Sequence, residues 1–150
     1  MAWVVDASVA AKWLIEEEGT EAALSLRESG RDLTCPDLLF LEVGNVVWKK
    51  VRAGEIEEAD GRAMIATLMD APLSVEASKD LLPAAWEFAV RHDRTVYDGV
   101  YLALAVGIDG LLVTADHRLV NSLSGSDLEP RIVLVEDLEA RVDATGEGEL

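Results

Sequence analysis

Four acidic residues stand in or beside apolar stretches, where an ionised side chain is least expected: Asp6, Glu42, Asp98 and Asp116. Asp6 closes the run Ala2-Trp3-Val4-Val5, and Asp116 follows Leu111-Leu112-Val113-Thr114-Ala115. Glu42 and Asp98 interrupt helical patterns that are otherwise apolar. Taking a carboxylate out of water is costly unless a counter-charge or strong hydrogen-bond donors offset it. The chain places few cations near these positions, so a bound metal ion is the simplest partner. Four acids around a divalent cation point to phosphate chemistry.

The elements that must position these acids follow from periodicity and punctuation. Short apolar runs alternate with helical segments, the pattern of an α/β fold with a mainly parallel sheet in a three-layer α/β/α sandwich. Strands are expected at 2–6, 33–35, 73–75, 111–114 and 132–135. Ser8 is placed to cap a helix running to Glu18 with Gly19 as its stop, and Thr20 to cap one over 21–29. Further helices are expected over 37–53, 56–69, 78–91, 95–107 and 116–123. A single domain spans residues 1–140, with at most a helical turn after Glu136 and an acidic, unstructured tail over 141–150.

Each acid has a second, purely structural reading. Asp6 and Asp116 both suit helix N-caps. In the helix 37–53, Leu38, Glu42 and Val46 form one row and Leu39, Val43 and Val47 the next, which puts Glu42 within the buried stripe. An acid at the edge of that stripe, paired with Lys49 or Arg52, is the alternative. Asp98 is the only carboxylate in the apolar helix 95–107, and Thr95-x-x-Asp98 also has the form of a capping box. Strands 2–6 and 111–114 are the two most apolar, hence neighbours at the sheet centre, with Asp6 and Asp116 emerging on the same edge. Ligands bind at that edge in open parallel sheets.

Composition sets the outer bounds. The 150 residues carry a formal net charge of −16, with 50% hydrophobic and 5% aromatic residues. No apolar run approaches the roughly 18–20 residues of a membrane span, and the N-terminus carries no secretory pattern, so the expected address is the cytoplasm. The single Cys35 excludes an intramolecular disulfide and a zinc–thiolate cluster, and reads as a buried thiol at a strand end. The acidity runs against simple electrostatic attraction to nucleic acid, and favours a basic protein partner or a host cytoplasm rich in salt. Lys12 could steer a phosphate or be a surface lysine. His92 reads as surface, and Trp3, Trp13, Trp48 and Trp86 as core or interface.

Four segments together resemble the PIN-domain ribonucleases, in particular the VapC-type toxins of toxin–antitoxin pairs. They are Val4-Val5-Asp6-Ala7-Ser8-Val9-Ala10-Ala11-Lys12-Trp13, Pro36-Asp37-Leu38-Leu39-Phe40-Leu41-Glu42-Val43-Gly44-Asn45, Thr95-Val96-Tyr97-Asp98-Gly99-Val100-Tyr101-Leu102-Ala103-Leu104-Ala105, and Leu111-Leu112-Val113-Thr114-Ala115-Asp116. The resemblance covers residues 3–135, with one departure at Gly99, where alanine is commoner. It implies an acidic quartet of Asp6, Glu42, Asp98 and Asp116, with Ser8 and Thr114 hydroxyls nearby. It further implies RNA as the substrate; the chemistry of clustered carboxylates in turn points to Mg2+ or Mn2+ held by Asp6, Asp98 and Asp116, directly or through water, with Glu42 holding a second ion or orienting the attacking water. A homodimer and a VapB-type antitoxin are the implied partners. A non-catalytic PIN-like binding module and a housekeeping RNA-processing nuclease are the alternatives.

Overall fold

The computed structural model describes residues 2–146. Five strands form one sheet: β1 (Trp3–Val5), β2 (Leu33–Pro36), β3 (Ser74–Glu76), β4 (Leu111–Thr114) and β5 (Ile132–Leu134). Every pairing is parallel and the order is β3-β2-β1-β4-β5. Two successive connections step toward one edge, and the later ones return past β1 to the other. Right-handed crossovers then put the connecting helices on opposite faces, which gives the expected three-layer sandwich. The order reverses between β1 and β4, which are paired with Val5 opposite Val113. A crevice opens beyond the carboxyl ends of two such strands.

The sheet is covered by α1 (Ala7–Ala10), α2 (Thr20–Arg27), α3 (Leu38–Arg52), α4 (Glu58–Met69), α5 (Ser78–His92), α6 (Val96–Gly107), α7 (His117–Ser122) and α8 (Leu138–Thr145). Val4, Val5, Leu112 and Val113 are fully buried at its centre. The helix α6 is apolar on nearly every side because it is buried from Gly99 to Ala105. Among the described residues no helix is long and apolar enough to cross a membrane.

Three local expectations are corrected. The first helix does not run from a Ser8 cap to Glu18. Asp6 takes the N-cap position, α1 ends at Ala10 and a 3-10 turn over Ala11–Trp13 follows. The chain then turns back, with the Lys12 ammonium bonded to Glu17 Oε1 at 3.0 Å and to the Glu18 carbonyl at 2.6 Å. Gly19, with φ of 88°, enters α2 and does not terminate α1. Near the C-terminus, α8 carries ordered chain past residue 140, because Leu138 and Val142 give it a buried face. Residues 147–150 of the expected tail lie outside the described residues. The His92 side chain is only 9% exposed and lies tilted against the Phe88 ring, so it is not a surface residue.

The tryptophans divide between the two expected roles. Trp3 and Trp13 are in the core, whereas Trp48 and Trp86 are exposed on α3 and α5. Cys35 is fully buried in β2.

Candidate active site

Asp6 directly follows β1, at the carboxyl end of the central strand. Its Oδ2 accepts the Ser8 hydroxyl at 2.6 Å and the Thr114 hydroxyl at 2.7 Å. Thr114 ends β4 and is completely buried, so the sheet itself fixes one of the two donors. Ser8 is therefore not a helix cap. It lies two residues past Asp6 and donates its hydroxyl hydrogen bond back to that carboxylate, while its oxygen accepts the Ala115 N–H at 3.0 Å. Two hydroxyls and one backbone amide thus tie the ends of β1 and β4 together around one acidic oxygen.

Asp116 lies just beyond. Its N–H donates to Thr114 Oγ1 at 3.0 Å, and its Oδ1 caps α7 by accepting the Leu119 N–H at 3.1 Å. The capping reading of Asp116 is therefore true, and it holds the side chain in place at the crevice. The capping function also holds in part at Asp98, whose N–H donates to Thr95 Oγ1 at 3.1 Å. The Asp98 carboxylate does not complete a capping box. Its Oδ2 accepts from Arg94 Nε and Nη2, each at 3.1 Å.

Glu42 flanks the buried stripe of α3 and does not sit inside it. Leu39, Val43 and Val47 are the buried row, whereas Val46 is exposed and Glu42 half-buried. Its partner is neither Lys49 nor Arg52. The Tyr101 hydroxyl, from the buried face of α6, donates to Glu42 Oε1 at 2.7 Å.

Electrostatics join the four acids into one cluster. Burial pushes the Asp6 carboxyl above its usual range against the pull of the Ser8 and Thr114 hydrogen bonds, and the charges of Asp98 and Asp116 raise it further. Burial likewise raises Glu42; the Tyr101 hydrogen bond opposes this, and Asp6 and Asp98 add to it. Tyr101 is driven upward by burial and by the Asp6 and Glu42 charges, so it is a permanent donor. Arg94 and Tyr101 are the two site-lining groups that sequence reasoning missed. A buried tyrosine needs a hydrogen-bond partner, and that was the available signal for Tyr101.

An all-oxygen donor set of this charge suits a hard divalent cation such as Mg2+ or Mn2+. Among the described residues, no three acidic, imidazole or thiol groups already stand as a closed metal-binding set. Asp98 is turned to Arg94 and Asp116 to its cap, so an ion would gather these carboxylates by side-chain rotation around the fixed Asp6. Lys12 is held by Glu17 and the Glu18 carbonyl and is 13% exposed, which withdraws it from any phosphate role in this arrangement.

The PIN domain family profile matches residues 3–122. The chain is 36% identical over 121 residues to Ribonuclease VapC3 of Pyrobaculum aerophilum, covering 79% of this chain and 92% of that one. The crystal structure of PAE2754 from Pyrobaculum aerophilum superposes with a TM-score of 0.66 at 25% identity, over 96% of this chain and 90% of the other. A toxin–antitoxin complex from Klebsiella pneumoniae has the same fold, with a TM-score of 0.60 at 13% identity over 88% and 96% of the two chains.

Proposed function

The chain belongs to the PIN-domain family, and from that premise we propose that it is an endoribonuclease toxin hydrolysing RNA phosphodiesters with Mg2+ or Mn2+. The observation that carries the reading is the convergence of the four acids: burial, then the charges of Asp98 and Asp116, raise the Asp6 carboxyl, and burial, then the charges of Asp6 and Asp98, raise that of Glu42. That is a surplus of negative charge at the sheet's switch point, with Arg94 as its one paired cation among the described residues. The ribonuclease name of the 36%-identical relative supports the same substrate.

Asp6, Asp98 and Asp116 are the residues that would hold the ion. When bound, the cation polarises a phosphate oxygen, makes water more acidic and offsets the growing charge on phosphorus and on the leaving oxygen. Ser8 and Thr114 hold the Asp6 side chain through Oδ2, so that its carboxylate would meet an ion without further ordering. Glu42, its proton affinity raised by burial and held by Tyr101, is suited to take a proton from the attacking water. Water oxygen bonds to phosphorus as the bond to the 3′ oxygen breaks. The 3′ oxygen takes up a proton from solvent, leaving a 5′-phosphate and a 3′-hydroxyl.

A basic VapB-type antitoxin and a homodimeric, cytoplasmic form belong to the same proposal. The net charge of −16 suits a basic inhibitor. The exposed Trp48 on α3 and the stripe Leu82, Trp86 and Val90 on α5 are apolar surface of the kind that subunits cover.

The test is cleavage of a mixed RNA panel by purified protein, with and without chelator, beside Asp98→Asn. Metal-dependent cleavage that falls by about 100-fold or more in the mutant is expected. Equal cleavage by both proteins would mean a contaminating nuclease. Cleavage by neither would favour the non-catalytic binding module. Growth arrest on expression separates a toxin from an RNA-processing enzyme.

A further inference from the structure

Arg94 is the cation that the fold turns into the acidic centre. It lies in the short link between α5 and α6, next to Asp93, whose φ of 52° is in the left-handed region. Its own N–H is fixed to the Ala89 carbonyl at 3.1 Å. The backbone is therefore anchored while the side chain reaches four residues forward. Nε and Nη2 both converge on a single oxygen, Asp98 Oδ2. This is not the two-oxygen fork that makes arginine–carboxylate pairs strongest. Both side chains are 24% exposed, so solvent screens the pair and it can be broken.

We propose that Arg94 is an exchangeable counter-ion, neutralising Asp98 while no divalent cation is bound and passing to a phosphate oxygen of the RNA once the cation takes Asp98. The inference rests on the metal-dependent nuclease reading above. A rotation about the side-chain bonds of Arg94 suffices, because its Cα is held beside the N-terminus of α6. The released guanidinium stays within side-chain reach of Asp98, where the scissile phosphate must also lie if Asp98 holds the ion. Guanidinium presents phosphate with the same planar set of donors that it offers a carboxylate. Lys12 does not compete for this role, since Glu17 and the Glu18 carbonyl retain it. The arrangement also accounts for an arginine in a site that must bind a cation. Without it, Asp98 would add an unopposed charge to Asp6 and Glu42, whose carboxyls it already perturbs.

The test is calorimetric titration of the purified full chain with Mn2+, for wild type, Arg94→Gln, Arg94→Lys and Asp6→Asn, followed by steady-state RNA cleavage at saturating Mn2+. Arg94→Gln is expected to bind Mn2+ about 2- to 5-fold more tightly, the scale set by losing a partly exposed ion pair. The same variant should lose about 10-fold or more in kcat/KM, and Arg94→Lys should recover part of that loss. Unchanged or weaker Mn2+ binding by Arg94→Gln would overturn the competition. Wild-type kcat/KM in Arg94→Gln would overturn the transfer to phosphate. Mn2+ binding that is absent from wild type, or indifferent to Asp6→Asn, would remove the metal reading itself and this inference with it.

Discussion

The Tyr101 hydroxyl donates to Glu42 Oε1 at 2.7 Å, joining two helices whose contributing residues are 59 positions apart. This bond is the one influence that lowers the Glu42 pKa, against burial and the charges of Asp6 and Asp98. Tyr101→Phe therefore raises Glu42 further. If Glu42 must be ionised to accept a proton, the acid limb of the activity profile moves to higher pH while the alkaline limb stays. Loss of the buried bond should also cost about 1 kcal/mol of stability. An acid limb that does not move in the variant would remove Glu42 from the proton-transfer role.

Asp6 makes the metal-free protein sensitive to pH in a defined direction. Its folded pKa lies above the usual 3.8, so the folded state holds the proton more tightly than the unfolded chain does. The stability contribution is complete below 3.8 and is lost as pH rises through the folded value. Asp37 behaves oppositely: hydrogen bonds from the Ser78 hydroxyl and N–H lower it, and its contribution is lost only as pH falls below 3.8. The two windows do not overlap. Urea midpoints from ~pH 4 to ~pH 8 should show wild type losing ground to Asp6→Asn as pH rises. Mn2+ should restore wild type and leave Asp6→Asn unchanged.

Cys35 gives a simpler test. Burial, with a smaller effect from Asp37, pushes its thiol up to about 12, so no reactive thiolate exists at neutral pH. Iodoacetamide should label the folded protein only at the rate at which it opens, and fully in denaturant. Rapid labelling under native conditions would mean that β2 is exposed in solution.

The sheet centre was legible because two runs, Val4-Val5 and Leu111–Val113, are too apolar for any position but the middle. Their adjacency brought Asp6 and Asp116 together at the expected edge. Glu42 was placed one row too deep, since α3 has apolar residues in two adjacent rows and only tertiary packing decides which one is buried. The early end of α1 was hidden for a related reason. Helical propensity continues through Lys12 and Trp13, but Trp13 Nε1 bonds to the Ala23 carbonyl at 2.8 Å and draws the chain into a turn. The Arg94–Asp98 pair sits at i, i+4 spacing, yet an arginine in a polar helix link gives no sign of facing inward. Leu138 and Val142, with only alanines and polar residues around them, are too faint a pattern to extend the C-terminal helix.

Gly99, the one departure from the family pattern, follows from how α5 and α6 pack. A Cβ at position 99 would stand 2.3 Å from the Ala85 carbonyl oxygen and 3.1 Å from the Ala85 Cα. Both obstacles are backbone atoms of a helix and cannot rotate aside. Gly99→Ala would gain helix propensity of about 1 kcal/mol, yet the clash forces α5 away from α6, and overpacking of this kind costs about 1–3 kcal/mol. The net effect should be destabilising. Because Asp98 and Tyr101 flank this contact on α6, the displacement should also weaken Mn2+ binding and cleavage. Thermal unfolding and Mn2+ titration of Gly99→Ala check both consequences. A variant as stable as wild type, with unaltered Mn2+ affinity, would show that the two helices can separate at no cost and that the glycine does not position the site.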